Sequence, residues 1–310
     1  MKKLSIITAA VLAFSAVVPM CASADPAADY APDFYFRPVD APTDPKTGDL
    51  VLFKDEIPED GRTLKINLYV SDESKQLWWF SPKWKCADSH IKLAEINDPT
   101  TSSEPFAYSK ALADGSFIND NIGVDVVQDE ECNTMGCTFT VKGLSLNPLV
   151  PYSENTDDYP MTWFTADVSG DIPFGYYDIY FLTKAEDYDD QRVTEAFLRL
   201  DNKDSSKRVP ILENLTIRIS GNEGDVNGDG IVDSADSSDI LTEYAALQTS
   251  SASTLSPEAA FAADVDHDRI IDSADATLVL NYYAYAMSTE SPVSFLEYAG
   301  IKPVETHGEE

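Results

Sequence analysis

An acidic segment of twelve residues occurs twice near the C-terminal end of the sequence. Residues 225–236 have the sequence DVNGDGIVDSAD, and residues 264–275, which start 39 positions later, have the sequence DVDHDRIIDSAD. Eight of the twelve positions are identical in the two copies. Calcium takes six to eight oxygen ligands, and one twelve-residue loop supplies them when acidic or amide side chains stand at alternate positions and a carboxylate stands at position 12. The duplication therefore predicts two calcium-binding loops.

The predicted ligands stand at the same positions of both loops. Positions 1, 3, 5, 9 and 12 give side-chain oxygens, position 9 often through a water molecule, and position 7 gives its backbone carbonyl. In the first loop these residues are Asp225, Asn227, Asp229, Asp233 and Asp236, with the carbonyl of Ile231. In the second loop they are Asp264, Asp266, Asp268, Asp272 and Asp275, with the carbonyl of Ile270. We therefore expect two calcium ions.

A solvated acidic surface is the alternative interpretation of these loops. The chain has 54 acidic residues against 22 basic ones and a net charge of −32, so acidic clusters also arise by composition. Composition alone does not explain ten acidic or amide ligands at matched spacing with an isoleucine repeated at position 7. The same charge argues against nucleic acid and anionic membranes as partners, because both require a basic surface.

Each loop is followed by apolar residues at helical spacing. These residues are Ile240, Leu241, Tyr244 and Leu247 after the first loop, and Val279, Leu280, Tyr283 and Ala286 after the second. Such spacing predicts helices that bury one face. Before the first loop, Leu215, Ile217 and Ile219 alternate with polar residues, which predicts a strand. The segment therefore consists of two loop–helix units and lacks the first helix of an ordinary EF-hand.

Two Asp-rich loop–helix units near the end of a chain resemble the dockerin family of cellulosomes, over about 65 residues. The resemblance implies a type I-like dockerin at residues 222–290, which needs calcium to fold and binds a cohesin module of a scaffoldin. It also implies partner contacts at loop positions 10 and 11. Those positions hold Ser234, Ala235, Ser273 and Ala274. Because the same pair occurs twice, either half of the dockerin is expected to be able to face the partner.

Position 6 differs between the two loops. It is Gly230 in the first loop and Arg269 in the second. This position requires a positive φ, which costs a residue with a side chain about 1 kcal/mol. From the sequence alone, an Arg269→Gly substitution is therefore expected to raise calcium affinity or thermal stability.

The N-terminal residues have the pattern of a secretion signal. Lys2 and Lys3 precede an apolar run, Leu4–Val18, and Ala22-Ser23-Ala24 offers a cleavage site. We therefore expect a secreted, extracellular protein. No later apolar run in the sequence is long enough to span a membrane. The expected organisation is a signal peptide at 1–24, a linker at 25–32, a β module at 33–221, the dockerin at 222–290 and a tail at 291–310.

Residues 33–221 show the pattern of a mainly β module. Leu64, Ile66, Leu68 and Val70 alternate with polar residues, and short apolar runs are separated by clusters of Pro, Gly, Asn and Asp. Many short strands with turn signals between them predict a sandwich or barrel. The expected fold is an antiparallel β-sandwich of the jelly-roll or cohesin-like type. Cys132 and Cys137 are close enough in sequence to close a short loop, and buried thiols are the alternative.

The order of features in this module also resembles the cohesin family. A polar turn at 58–61 precedes the strand 64–70 and the aromatic segment 78–80. Later, 161–168 and 172–179 resemble the cohesin arrangement of an apolar strand, a short loop and a Gly-x-Tyr sequence that leads into the next strand. With a cohesin before a dockerin, the chain resembles an adaptor scaffoldin, which implies that it also receives dockerins of other proteins and has no catalytic activity.

Two other functions compete for the β module. A carbohydrate-binding module would stack a sugar ring on an exposed aromatic side chain, for which Trp79 is the candidate because Trp78, Phe80 and Trp84 share the opposite, core-facing side. A glycoside hydrolase would need two carboxylates that flank a cleft. The candidates for that pair are Asp129, Glu130 and Glu131, or Glu186, Asp187 and Asp189. Runs of this kind are typical of solvated loops, so we expect no enzyme.

Overall fold

The structure is a computed structural model that describes residues 33–39, 41–71, 77–97, 122–141, 160–183, 194–199, 205–249 and 252–302. Residues 31–310 form one compact unit. The expected signal peptide, residues 1–24, lies outside the described residues. Within the described residues, no helix combines the length and the apolar character that a membrane crossing needs.

Fourteen strands are present in the described part of the chain. They are β1 (Asp33–Pro38), β2 (Leu50–Phe53), β3 (Arg62–Ser71), β4 (Leu77–Ser81), β5 (Lys83–Cys86), β6 (Ile91–Ile96), β7 (Ile122–Asp129), β8 (Thr134–Val141), β9 (Thr162–Val168), β10 (Gly175–Phe181), β11 (Glu195–Arg199), β12 (Ser205–Arg208), β13 (Ile211–Glu213) and β14 (Leu215–Ser220). They form two sheets. One sheet has the order β13-β1-β3-β9-β6. The other has the order β12-β11-β4-β8-β5-β10-β14-β2, with β7 also paired to β8.

Most strand pairs are antiparallel, and two are parallel. β1 runs parallel to β13, with Asp33 opposite Ile211, and β2 runs parallel to β14, with Leu50 opposite Ile217. Both pairs join strands that are far apart in sequence, so no tight hairpin imposes an antiparallel direction on them. The predicted β-sandwich is confirmed, and these two pairs make its sheets mixed.

The sandwich core is built from the inward faces of both sheets. Leu64, Ile66, Leu68 and Val70 of β3 are all buried, as their alternation predicts. They belong to a single cluster with aromatic residues from both sheets, in which the rings of Phe36, Trp84, Phe164 and Phe181 pack against one another. Phe80 and Trp84 lie in this core, as expected from the sequence.

Four α-helices follow the sandwich in the described residues. They are α1 (Ser234–Thr249), α2 (Pro257–Ala263), α3 (Ser273–Ser288) and α4 (Phe295–Tyr298). They share a smaller hydrophobic core that includes Ile240 of α1 and Val279 of α3. Leu241 and Leu280, which the sequence placed on the buried faces, are instead 46% and 49% exposed. Each helix buries only a narrow stripe, because the two helices pack mainly against each other and leave their outer sides to solvent.

Candidate functional site

The first acidic loop is folded by hydrogen bonds from its own backbone to its carboxylates. Asp225 accepts hydrogen bonds from the backbone N–H groups of Gly228 at 2.9 Å, Asp229 at 3.0 Å and Gly230 at 2.9 Å. The side chain of Asn227 accepts from Asp229 N at 2.8 Å, and that of Asp229 accepts from Ile231 N at 2.9 Å. The side-chain oxygens at positions 1, 3 and 5 therefore hold the backbone of the loop in its folded conformation.

The last carboxylate of each loop ties the loop to the helix that follows it. Asp236 accepts hydrogen bonds from Val226 N and Asp233 N, both at 2.9 Å. Asp275 repeats these contacts with Val265 N and Asp272 N, again at 2.9 Å. Both carboxylates are buried, and burial raises the pKa of each. Each of these residues thus fixes the start of a helix against the first turn of its loop.

The second loop brings three carboxylates together. One ligand atom from each of Asp264, Asp266 and Asp268 lies within 4.8 Å of the other two. Asp264 is 3% exposed, and its burial raises its pKa to about 6, although a hydrogen bond from Tyr176 acts in the opposite direction. These donors are all hard oxygens, which suits calcium and gives no thiolate or imidazole ligand for zinc or copper. The residues present therefore fit the predicted calcium site.

Positions 4 and 6 have a left-handed backbone in both loops. In the first loop they are Gly228 and Gly230, with φ of 74° and 83°. In the second they are His267 and Arg269, with φ of 60° and 66°. The positive φ expected for Arg269 is confirmed, and His267 is a second residue that bears the same cost.

The second loop contacts the sandwich through these two side chains. Nδ1 of His267 lies 3.0 Å from the hydroxyl oxygen of Tyr176, and that hydroxyl donates to Oδ2 of Asp264 at 2.9 Å. Nη2 of Arg269 donates to Oγ1 of Thr216 at 3.1 Å, and its guanidinium carbon lies 5.0 Å from the centre of the Tyr176 ring. Lys46 completes the contact by donating from Nζ to the carbonyl of Asp266 at 2.7 Å.

His267 is buried at this contact. It is 6% exposed, and burial together with the nearby charge of Arg218 lowers its pKa to about 3. The hydroxyl of Tyr176 donates to Asp264, so its oxygen is left to accept from Nδ1–H of His267. Burial and the charge of Asp264 also raise the pKa of Tyr176 far above its usual value. A directed chain of hydrogen bonds therefore runs from His267 through Tyr176 to Asp264.

The expected partner-binding residues lie on the surface. Ser234 and Ala235 are exposed at the start of α1, and Ser273 and Ala274 are exposed at the start of α3. Sequence reasoning missed Leu241 and Leu280, which are exposed seven residues after Ser234 and Ser273 and therefore lie on the same helix faces. The signal that identifies them is their equivalence in the repeat, since they are 39 positions apart like the loops themselves.

The structure adds little support for the candidate residues for sugar binding, catalysis or a disulfide bond. Trp79 lies in β4, where its backbone pairs with Thr140 and Phe197, but its side chain lies outside the described residues. Glu130 and Glu131 are exposed beside Asp129 on the turn between β7 and β8, as expected for solvated charge. The other acidic candidates, Glu186, Asp187 and Asp189, lie outside the described residues. Cys132 is exposed and Cys137 is buried, and both are free thiols.

Residues 223–283 match the family model for the dockerin type I domain. The match covers both acidic loops and confirms the dockerin that the repeat predicted. A comparison with curated proteins gives no match.

The N-terminal region matches solved cohesin structures at low sequence identity. The seventh ScaB type I cohesin from Pseudobacteroides cellulosolvens is 11% identical, with 62% of this chain and 93% of that chain covered and a TM-score of 0.39. The third ScaB cohesin of R. flavefaciens, solved in complex with a group 1 dockerin, is 16% identical, with 63% and 99% covered and a TM-score of 0.37. The Coh-OlpC–Doc435 complex from Clostridium thermocellum gives 11% identity, 62% and 95% coverage and a TM-score of 0.38.

Proposed function

We propose that this chain is a secreted, non-catalytic adaptor of a cellulosome-type complex. Its dockerin binds a cohesin of a scaffoldin in a calcium-dependent manner, and its sandwich receives dockerins of other proteins. The observation that carries the proposal is the dockerin match over residues 223–283, whose second loop brings Asp264, Asp266 and Asp268 within 4.8 Å of one another. Extracellular localisation rests on the signal pattern of residues 1–24.

Two calcium ions are part of this proposal. The ligands of the first are Asp225, Asn227, Asp229, Asp233 and Asp236 with the carbonyl of Ile231. The ligands of the second are Asp264, Asp266, Asp268, Asp272 and Asp275 with the carbonyl of Ile270. When bound, calcium supplies the positive charge that lets these carboxylates stay close together. The chain supplies the geometry, because Asp236 and Asp275 couple each loop to its helix.

The surface proposed to bind the cohesin consists of the exposed residues at the starts of α1 and α3. Its members are Ser234, Ala235 and Leu241 in one half, and Ser273, Ala274 and Leu280 in the other. An exposed leucine beside small residues allows close approach of a partner and offers apolar area for it to bury. Because the two halves are equivalent, either half can face a cohesin.

Substitutions in both halves test this surface. We expect Leu241→Asp or Leu280→Asp alone to leave binding to purified scaffoldin cohesins largely intact, because the other half remains available. The double variant should bind at least tenfold more weakly, since a charge replaces apolar contact in both halves. Val209→Asp is the matched control, because Val209 is an 82% exposed apolar residue outside the dockerin. Binding that survives chelation of calcium would refute the proposed calcium dependence. A double variant that binds like the native chain would refute the proposed surface.

The sandwich is proposed to receive dockerins because its order of strands and loops follows the cohesin arrangement seen in the sequence. The competing carbohydrate-binding function needs a free aromatic face. On β1 and β3, the rings of Tyr35 and Tyr69 stack at 5.3 Å and Arg37 covers Tyr35 at 4.6 Å, so these rings contact protein groups. Trp79 remains the candidate for a sugar contact.

A retention experiment separates these two functions of the sandwich. The immobilised chain should capture purified dockerins in calcium and release them in chelator, because the captured dockerins need calcium. It should not be retained on cellulose or xylan, and Trp79→Ala should not change that result. Retention on a polysaccharide that Trp79→Ala abolishes, without dockerin capture, would support carbohydrate binding instead.

A further inference from the structure

The second acidic loop differs from the first in its contact with the sandwich. We propose that this contact is a built interface in which Tyr176 of β10 supports the second calcium site, so that this site depends on the sandwich and the first does not. This inference rests on the calcium sites of the proposed function. It adds a positioning residue that lies 88 positions before the loop it supports.

Tyr176 holds the first ligand of the second loop. Its hydroxyl donates to Oδ2 of Asp264 at 2.9 Å, while the backbone N–H of Arg269 donates to the same oxygen at 3.2 Å. A residue that donates to a metal-ligating carboxylate fixes its orientation, and the loss of such a partner typically weakens metal binding about 10- to 100-fold. Asp264 is 3% exposed, so most of its contacts are with protein atoms.

Neighbouring side chains hold Tyr176 in place. His267 donates to its oxygen at 3.0 Å, and the ring of Phe261 from α2 packs edge-on against it at 5.1 Å. Phe261 is 4% exposed and His267 is 6% exposed. Residues of the dockerin itself therefore contact both the hydroxyl and the ring of Tyr176.

Basic residues of the sandwich face the acidic loop at this junction. Lys46 donates to the carbonyl of Asp266 at 2.7 Å. Arg218 of β14 is 1% exposed and pairs with Asp44 at 3.0 Å, two residues before Lys46. Burial raises the pKa of Asp44, but the backbone N–H of Lys46 and the charge of Arg218 lower it more, so the pKa lies below its usual value. The chain has a net charge of −32, so the basic side chains of Lys46 and Arg218 at this junction favour contact with the acidic loop.

The first loop lacks an equivalent support among the described residues. The hydrogen bonds of Asp225 described above come from the backbone of its own loop, at Gly228, Asp229 and Gly230. Gly228 and Gly230 have no side chains with which to reach the sandwich, and a Cβ atom at either position would meet nothing within 4 Å. The two sites therefore differ in what surrounds them, although their ligand pattern is the same.

Calcium titration of the full-length chain by calorimetry tests the proposal. Asp236→Ala removes the first site, so the titration then reports the second alone. In that background, Tyr176→Phe should weaken calcium binding about tenfold, as expected for the loss of an outer hydrogen-bond partner of a ligand. In the Asp275→Ala background, which reports the first site, Tyr176→Phe should change nothing.

Tyr177→Phe is the matched control. Tyr177 is the next residue of β10, and its hydroxyl donates to the carbonyl of Pro173 at 2.8 Å, which is not a residue of the loop. The Tyr177→Phe variant should leave the calcium affinities of both sites unchanged. Hydrogen exchange of residues 264–270 gives a second measure and should become faster in Tyr176→Phe but not in Tyr177→Phe.

The outcomes separate this inference from the proposed function. If the native chain binds two calcium ions and Tyr176→Phe leaves both affinities and the exchange of residues 264–270 unchanged, the support by Tyr176 is refuted while the calcium sites stand. If the native chain binds no calcium, the proposed sites themselves fail.

Discussion

The two acidic loops have the same ligand pattern but different neighbours. Loop 225–236 uses Gly228 and Gly230 at its two left-handed positions, whereas loop 264–275 places His267 and Arg269 there. All four residues have a positive φ, so the backbone path does not depend on glycine. The comparison teaches that the ligand spacing sets the loop conformation, and that side chains at left-handed positions are tolerated where they make contacts.

The last carboxylate of each loop gives nearly identical internal support. Asp236 and Asp275 each accept from the residues at loop positions 2, 3 and 9, with closely similar distances. The first carboxylates differ, because Asp225 accepts from three backbone N–H groups of its loop and Asp264 from that of Arg269. The neighbours differ as well, since Tyr176, Thr216 and Lys46 contact only the second loop among the described residues. Removal of calcium and substitutions in the loops or in their neighbours test this comparison.

Removal of calcium should give the largest effect, and it should be unequal between the loops. Carboxylates that lie within 4.8 Å of one another repel when no cation is present. A ligand at 1000 times its dissociation constant stabilises the folded state by about 4 kcal/mol, and chelation removes that contribution. We expect α1 and α3 to lose most of their helicity in far-UV circular dichroism.

The sandwich serves as the internal reference for this experiment. Among the described residues, its hydrophobic cluster contains none from the helical region, so its strands should remain folded in chelator. Hydrogen exchange should rise more in loop 225–236 than in loop 264–275, because the second keeps its contacts with Tyr176 and Lys46. Equal helicity with and without calcium would contradict the prediction, and equal exchange in the two loops would remove the distinction between them.

A transplanted arginine should have an intermediate effect. In Gly230→Arg, the first loop acquires the residue of the second loop at a φ of 83°, without a partner such as Thr216 to receive it. We expect a loss of about 1 kcal/mol in the free energy of unfolding of the helical region, which is the usual cost of a side chain at a left-handed position. Denaturant unfolding at saturating calcium measures it.

Gly300→Arg is the matched control for this substitution. Gly300 has a φ of 74° and open space around its Cβ position, but it lies outside both loops. The same strain should appear there without a change in calcium affinity, whereas Gly230→Arg should also weaken the first site. A Gly230→Arg variant as stable as the native chain would show that the left-handed position carries no cost here.

The dockerin is the part of this molecule that the sequence identifies most directly. Oxygen ligands must recur at fixed spacing, so twelve consecutive residues suffice to identify a loop and its helix. The support by Tyr176 depends on where β10 lies in the sandwich, and no spacing relates residue 176 to residue 264. The parallel pairing of β2 with β14 is hidden for the same reason, because the pairing of distant strands follows from the whole fold.

The exposed leucines illustrate a different limit of sequence analysis. Helical spacing placed Leu241 and Leu280 with the buried residues, because periodicity identifies a face without its width. Only the packing of α1 against α3 shows how narrow the buried stripe is. Repetition of the same exposed apolar residue in both halves indicates a surface role, and this argument requires the structure and the repeat together.

The smallest effect is expected for Arg269→Gly, because two contributions of opposite sign compete. Relief of the left-handed backbone should stabilise the second loop by about 1 kcal/mol. Loss of the hydrogen bond to Thr216 and of the contact with the Tyr176 ring should cost a similar amount, since an exposed cation–π contact contributes about 0.5–1 kcal/mol and a net hydrogen bond about 1 kcal/mol. The net change should therefore lie within about 0.5 kcal/mol of zero.

A double-mutant cycle separates the two contributions of Arg269. Thr216→Val keeps the shape of the side chain but removes the hydroxyl that accepts from Arg269. In that background the arginine has already lost one contact, so Arg269→Gly should become clearly stabilising, and the coupling between the two positions should be measurable. If Arg269→Gly stabilises the native chain by the full cost of the strained backbone, the contacts of the Arg269 side chain with the sandwich contribute nothing. The second loop would then depend on Tyr176 and Lys46 alone for its support by the sandwich.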